Sequence, residues 1–126
     1  MRPTVLYIED DPSSAHLLEL LFMQRPGIRL LTASAGRQGL ELARAERPSL
    51  ILLDFHLQDM DGKDVLRALR AEPTLNATPV ILLTAEQYPR LPEHLRALGA
   101  QAYLMKPLDL SQLLALVDTS LAGPVE

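Results

Sequence analysis

The chain of 126 residues contains no cysteine and no tryptophan, and aromatic residues make up only 4% of it. The lack of cysteine excludes disulfides, thiolate metal ligands and cysteine nucleophiles, and it favours a reducing compartment. Apolar runs are only a few residues long, so the sequence offers no candidate membrane span and no signal-peptide core. We therefore expect a cytoplasmic domain that does not engage a membrane.

Basic residues are also in short supply. Lys and Arg number 12 against 16 Asp and Glu, which gives a formal net charge of −4, and no basic run occurs. A mildly acidic chain of this kind is a poor candidate for direct nucleic-acid binding. The length is enough for one domain with a substantial core and too short for two.

Two hydrophobic periods alternate along the chain. Short apolar or β-rich runs predict five strands, at residues 4–8, 28–33, 49–53, 79–83 and 100–105. Each strand is followed by apolar residues at helical spacing, with Asp11, Ser34 and Asp109 as predicted helix caps. Right-handed crossovers then require a mostly parallel sheet with helices on both faces.

The residues that follow these strands indicate the chemistry. Four of the five strands end in acids, a hydroxyl or a lysine, namely Glu9, Asp10, Asp54, Thr84 and Lys106. Because the carboxyl ends of parallel strands share one edge of a sheet, we expect a single site there. Clustered carboxylates repel one another unless a cation neutralises them, and all-oxygen ligands favour Mg²⁺. A lysine and a hydroxyl beside the metal predict Mg²⁺-dependent phosphoryl transfer.

Four strings resemble the receiver domains of two-component response regulators, the CheY-like family: YIEDDP, LILLDFHLQDMDG, PVILLTAE and AYLMKPLD. The resemblance implies an α/β fold, a three-layer α/β/α sandwich of the flavodoxin-like (βα)5 type. Its parallel five-stranded sheet would have the order 2-1-3-4-5. The receiver domain would cover residues 1–121, and residues 122–126 would form a frayed tail.

The same resemblance implies that Asp54 accepts a phosphoryl group from the phosphohistidine of a histidine kinase or a histidine phosphotransfer domain. Asp10 and Asp54 would ligate Mg²⁺, and Glu9 would hold metal-bound water. The backbone carbonyl of His56 would also ligate the metal. The chain would thus assist its own phosphorylation and dephosphorylation without being a turnover enzyme.

The resemblance also implies a switch. Lys106 would pair with the phosphoryl oxygens, and Thr84 would donate its hydroxyl to one of them. Tyr103 would rotate into the space that Thr84 leaves, and a cis peptide bond would precede Pro107. The surface formed by the fourth predicted helix, the fifth strand and the last helix would then change its preference for a downstream protein, or for a second copy in a phosphorylation-dependent homodimer.

Some residues depart from the family pattern. Gln58 stands where proline is usual, four residues after the acceptor, and Glu9 replaces the commoner Asp. Pro89 and Pro92 both fall near the start of the helix predicted around Leu91, Leu95 and Leu98, so we expect that helix to be short or to begin at Pro92.

Simpler interpretations and other functions stay open at this point. Acids between a strand and a helix are often only caps, and Tyr103 alone would suit a half-buried strand position. The chain could be the receiver of a hybrid histidine kinase, a degenerate receiver that only binds a partner, or a dimerisation module built on the last helix. A haloacid-dehalogenase-like phosphatase is disfavoured, because that family needs an acid where His56 stands.

Overall fold

The computed structural model describes residues 2–85, 93, 96–97 and 99–122. Within these ranges lie five strands and four helices: β1 Thr4–Ile8, α1 Pro12–Phe22, β2 Arg29–Ala33, α2 Gly36–Glu46, β3 Leu50–Asp54, α3 Gly62–Ala71, β4 Val80–Thr84, β5 Ala102–Met105 and α4 Leu110–Ala122. The residues on which the fourth predicted helix is based, Leu91, Leu95 and Leu98, lie outside the described residues, as do Pro89 and Pro92. None of the helices in these ranges has the length and apolar character needed to cross a membrane.

The strands form one parallel sheet in the order β2-β1-β3-β4-β5, as predicted. The chain adds β2 on one side of β1 and then returns to add β3 on the other side. The order therefore reverses between β1 and β3. In an open parallel sheet, a crevice for ligands opens at such a reversal, beyond the carboxyl ends of the strands.

The apolar core lies on both faces of the sheet, which confirms the three-layer sandwich. Helices α2 and α3 cover one face through Leu40, Val65 and Leu69, and α1 and α4 cover the other through Leu18 and Val117. All five residues of β3 and all five of β4 are buried. Their continuous apolar runs are what a strand covered on both faces requires, and they hold the two strand ends rigidly in place.

Two of the three predicted helix caps are confirmed. Asp11 accepts hydrogen bonds from the main-chain N–H groups of Ser13 and Ser14, each at 3.3 Å, at the start of α1. Asp109 accepts one from the N–H of Gln112 at 3.0 Å at the start of α4. Both acids satisfy N–H groups that have no partner inside their helix.

The third cap prediction, Ser34 for α2, is wrong. The first N–H groups of α2 donate to Asp59, from Gly36 to Oδ1 at 2.8 Å and from Arg37 to Oδ2 at 3.1 Å. The Ser34 hydroxyl instead donates to the Gln38 side chain at 3.0 Å. A carboxylate from the loop after β3 is a stronger acceptor for these donors than a local hydroxyl, and it ties that loop to α2.

Gly62 lets the loop after β3 return to the strand it has just left. Its N–H donates to the carbonyl of Phe55 at 2.8 Å. A Cβ atom on Gly62 would lie 2.7 Å from Cα and 2.8 Å from the carbonyl oxygen of Phe55. Because the obstacle is backbone, no side-chain rotation can relieve it, and Phe55 directly follows Asp54.

We expect Gly62→Ala to destabilise the protein by about 2 kcal/mol, since the added methyl group must displace backbone in a packed loop. Urea unfolding followed by circular dichroism measures this directly. Gly27→Ala is the matched control, because nothing lies within 4 Å of a Cβ at that position. Equal stabilities of the two variants would contradict the close approach.

Candidate functional site

The ends of β1, β3 and β5 bring three acids and a lysine together at the crevice. One carboxylate oxygen each from Glu9, Asp10 and Asp54 lies within 4.8 Å of the others. The Nζ atom of Lys106 lies 2.9 Å from Oε1 of Glu9 and 3.5 Å from Oδ2 of Asp54. Four of the residues expected at this edge from the sequence therefore meet in one cluster.

Two of these carboxyl groups are buried. Glu9 is 3% exposed and Asp54 is 5% exposed, whereas Asp10 is half-buried at the rim. A buried charge is costly unless it is paired. Lys106 supplies that pairing, because it reaches both buried carboxyl groups from β5 at once.

The pKa values reflect this crowding. Burial, followed by the hydrogen bond with Glu9 and its charge, raises the pKa of Asp54 to about 7. Burial also raises the pKa of Glu9, but hydrogen bonds involving Asp54, Lys106 and Tyr7 outweigh it and leave that pKa lowered. The pKa of Lys106 is raised, since its contacts with Glu9 and Asp54 outweigh its burial. Without a further cation, the two buried carboxyl groups tend to share one proton near neutral pH.

A residue that sequence reasoning missed, Tyr7, completes the buried part of the site. It is fully buried on β1, and its hydroxyl donates to Oε1 of Glu9 at 3.1 Å. The signal was present in the sequence, because residues i and i+2 of a strand point to the same face. A tyrosine two positions before an acid could have been recognised as its donor.

The departure from the family pattern at Gln58 also has a structural role. Its main-chain N–H donates to Oδ2 of Asp10 at 3.0 Å. Proline has no N–H and could not make this bond. The loop is therefore held to the acidic cluster by a hydrogen bond that the usual residue would not allow.

The remaining predicted residues lie just after β3, at the end of β4 and on β5. His56 is exposed, and its main-chain N–H donates to Oδ1 of Asp54 at 3.2 Å. Thr84 is fully buried at the end of β4, and its carbonyl accepts from the N–H of Lys106 at 2.7 Å. Tyr103 is half-buried on β5 and packs against the apolar cluster under α2 and α3. The cis peptide bond before Pro107 is confirmed.

The donor set fits a hard divalent cation. All three acids offer oxygen, the ligand type that Mg²⁺ prefers. In the part of the chain that the structure describes, Oε2 of Glu9 is buried and accepts no hydrogen bond from an N–H or hydroxyl group. A cation with its bound water would satisfy this oxygen and relieve the repulsion among the carboxylates.

A parallel sheet in this order, with an acidic crevice and a lysine at its carboxyl edge, defines a receiver-type signalling domain. The family model described as "Response regulator receiver domain" matches residues 5–118. The chain belongs to this family. Receiver domains are phosphorylation-controlled switches that interact with histidine kinases or phosphotransfer proteins, and they bind Mg²⁺ at an acidic pocket.

Individual relatives are similar over nearly the whole chain. Protein PilH of Pseudomonas aeruginosa is 30% identical over 119 residues, which cover 94% of this chain and 98% of PilH. The DNA-binding response regulator MtrA of Mycolicibacterium smegmatis is 36% identical, over 96% of this chain but 51% of MtrA. The structure of chemotaxis response regulator CheY4 of Vibrio cholerae matches with a TM-score of 0.86 and 28% identity, over 95% of this chain and 99% of that one. The chain thus spans nearly all of some relatives and about half of others.

The raised pKa of Asp54 predicts a stability that depends on pH. The folded protein holds this proton up to about pH 7, whereas the unfolded chain releases it near 3.8. The contribution of Asp54 to stability therefore falls as pH rises from about 4 to 7. In the absence of divalent cations, we expect Asp54→Asn to be more stable than the native protein at pH 8, by on the order of 1–2 kcal/mol.

At pH 4.5 the difference should shrink, because Asp54 is then neutral in the folded protein. Urea unfolding at both pH values measures it. Glu41→Gln, which neutralises an exposed acid on α2, is the control for the removal of one negative charge. A stability gain of Asp54→Asn that is the same at pH 4.5 and pH 8 would refute the burial argument.

Proposed function

We propose that this domain accepts a phosphoryl group on Asp54 from a protein phosphohistidine, in a Mg²⁺-dependent reaction, and thereby changes its partner binding. The observation that carries the proposal is the buried carboxyl of Asp54 beside Lys106, 3.5 Å away, with Glu9 and Asp10 oxygens in the same cluster. An acceptor, a counter-charge for phosphoryl oxygens and a cation site coincide at the crevice of the sheet.

The acids divide into two roles toward the metal. Asp10 and Asp54, with the main-chain carbonyl of His56, would ligate Mg²⁺ directly, and Glu9 would hold metal-bound water. When bound, the ion supplies positive charge that neutralises the carboxylates and the oxygens of an incoming phosphoryl group. The half-buried position of Asp10 at the rim suits a ligand that solvent and a partner can both reach.

The chain's own part in the transfer is acceptance and charge stabilisation. A carboxylate oxygen of Asp54 forms the new bond to phosphorus, and the phosphorus–nitrogen bond of the phosphohistidine breaks. The electron pair stays on the imidazole nitrogen, which takes a proton from solvent, and Asp54 becomes an acyl phosphate. Lys106 needs only a small movement, because its ammonium already lies beside the acceptor oxygen.

The switch would begin at Thr84 and Tyr103. The Thr84 hydroxyl would turn toward a phosphoryl oxygen, and Tyr103 would move inward from its half-buried position. The hydrogen bond from the main-chain N–H of Lys106 to the Thr84 carbonyl joins the ends of β4 and β5. A displacement of one strand end would therefore displace the other. The surface formed by β5, α4 and the helix predicted around Leu91, Leu95 and Leu98 would then bind a different protein or a second copy of this chain.

The proposal concerns the domain, and it applies equally to a stand-alone regulator and to the receiver of a hybrid histidine kinase. A phosphatase of the haloacid-dehalogenase type has no support at the site, because the residue two positions after Asp54 is the exposed His56 and not an acid.

Acetyl phosphate tests the acceptor. We expect intact-mass analysis to show one added phosphoryl group in the presence of Mg²⁺ and almost none after chelation, since the clustered carboxylates repel the donor. Asp54→Asn should not be labelled, whereas Asp64→Asn, an exposed acid on α3, should be labelled like the native protein. Undiminished labelling of Asp54→Asn would overturn the assignment of the acceptor.

Thermal unfolding tests the cation site. We expect Mg²⁺ at about one hundred times its Kd to stabilise the protein by roughly 2–3 kcal/mol, because only the folded chain presents the three acids together. Asp10→Asn should lose most of this gain. The neighbouring Asp11→Asn should keep it, since Asp11 caps α1 and asparagine caps nearly as well. A gain that survives Asp10→Asn would show that Asp10 is not a ligand.

A further inference from the structure

The hydroxyl of Tyr7 is a polar group inside an otherwise apolar part of the core. Tyr7 packs with Leu52, Leu83 and Val117 in the cluster under α1 and α4, and none of its surface is exposed. Burying a hydroxyl is unfavourable unless it is hydrogen-bonded. Its bond to Oε1 of Glu9, at 3.1 Å, gives it a partner. A phenylalanine would fill the same space without this requirement, so the hydroxyl is not explained by packing.

Glu9 receives both of its donors on the same oxygen. Tyr7 Oη lies 3.1 Å and Lys106 Nζ lies 2.9 Å from Oε1. The other oxygen, Oε2, is buried and accepts no hydrogen bond from any N–H or hydroxyl group of the described residues. Two donors on one oxygen fix the rotation of the carboxylate. Oε2 is thereby left for a cation or for the water bound to it.

The length of the Glu9 side chain makes this restraint useful. Glutamate has one more rotatable bond than the aspartate that is usual at this position, so it loses more freedom when it is ordered. Lys106 alone would restrain the Glu9 carboxylate poorly, since an ammonium on a flexible side chain can donate hydrogen bonds in many directions. The Tyr7 hydroxyl comes from a rigid ring two residues earlier on the same strand face.

We infer that Tyr7 is a positioning residue for the divalent-cation site. Its hydroxyl holds the Glu9 carboxylate so that Oε2 faces the cation and its water. The inference rests on the proposed function, because it assumes that the acidic cluster binds Mg²⁺. Tyr7 does not touch the metal or the phosphoryl group, and it acts through Glu9. Groups of this kind orient a ligand carboxylate by a hydrogen bond, and their loss weakens metal binding.

The test is the Mg²⁺ affinity of Tyr7→Phe, measured on the full chain by isothermal titration calorimetry with MgCl₂. We expect the Kd to rise about tenfold, with little change in thermal stability when Mg²⁺ is absent. Ser120→Ala is the matched control, because it removes a hydroxyl that accepts a hydrogen bond from Gln101 and contacts none of the acids. Its Kd should equal that of the native protein.

A double-mutant cycle shows whether Tyr7 acts through Glu9. Adding Tyr7→Phe to Glu9→Ala should change the Kd by less than about twofold, since the carboxylate to be positioned is then gone. An unchanged Kd in Tyr7→Phe, or an equal loss in both backgrounds, would overturn the inference and leave the proposed function intact. Failure of the native protein to bind Mg²⁺ would overturn both.

Discussion

The contact of Lys106 with Glu9 and Asp54 is the interaction on which the rest of the structure depends. The carboxyl groups of Glu9 and Asp54 are buried side by side, and that of Asp10 lies at the rim. The ammonium group of Lys106, which follows β5, contacts both buried carboxyl groups. If all four groups are ionised, the cluster keeps a net charge of −2, which a divalent cation would balance. The fold thus holds these carboxylates together against their mutual repulsion. Because a bound cation relieves that repulsion, the repulsion contributes to the affinity of the site for positive charge.

The apolar layers give this arrangement its precision. Asp54 is the last residue of β3, a strand buried at every position between two helical layers, so it has little room to move away from Glu9. The loop that follows is fixed by three hydrogen bonds, each donated by a main-chain N–H. Gly62 donates to the Phe55 carbonyl, Gln58 donates to the Asp10 carboxylate, and the first residue of α2 donates to the Asp59 carboxylate. The acceptor is therefore presented by a rigid strand and a restrained loop.

Much of this could be predicted from the sequence, since the periods of the apolar residues specify the strands and helices and each strand end reveals its polar residue. Asp11 and Asp109 were predictable as caps because a cap and its helix are adjacent in the chain. Asp59 was not, because it caps α2 from another loop, where only the folded chain places it. The Gln58 N–H was missed because it is a main-chain donor, which side-chain patterns do not show. The Tyr7 hydroxyl was missed because Tyr7 was considered only as one residue of the first strand.

Lys106 and Glu9 are separated by 97 residues along the chain. Their contact joins the end of the first strand to the end of the last, across β3 and β4, so it requires β1, β3, β4 and β5 to be paired in register. Contacts between such distant residues form late and slowly, because the entropy of the intervening loop must be lost first. During synthesis, Glu9, Asp10 and Asp54 therefore lack the counter-charge of Lys106 until that residue has been added to the chain. The ability to hold a phosphoryl group is thus a property of the completed domain.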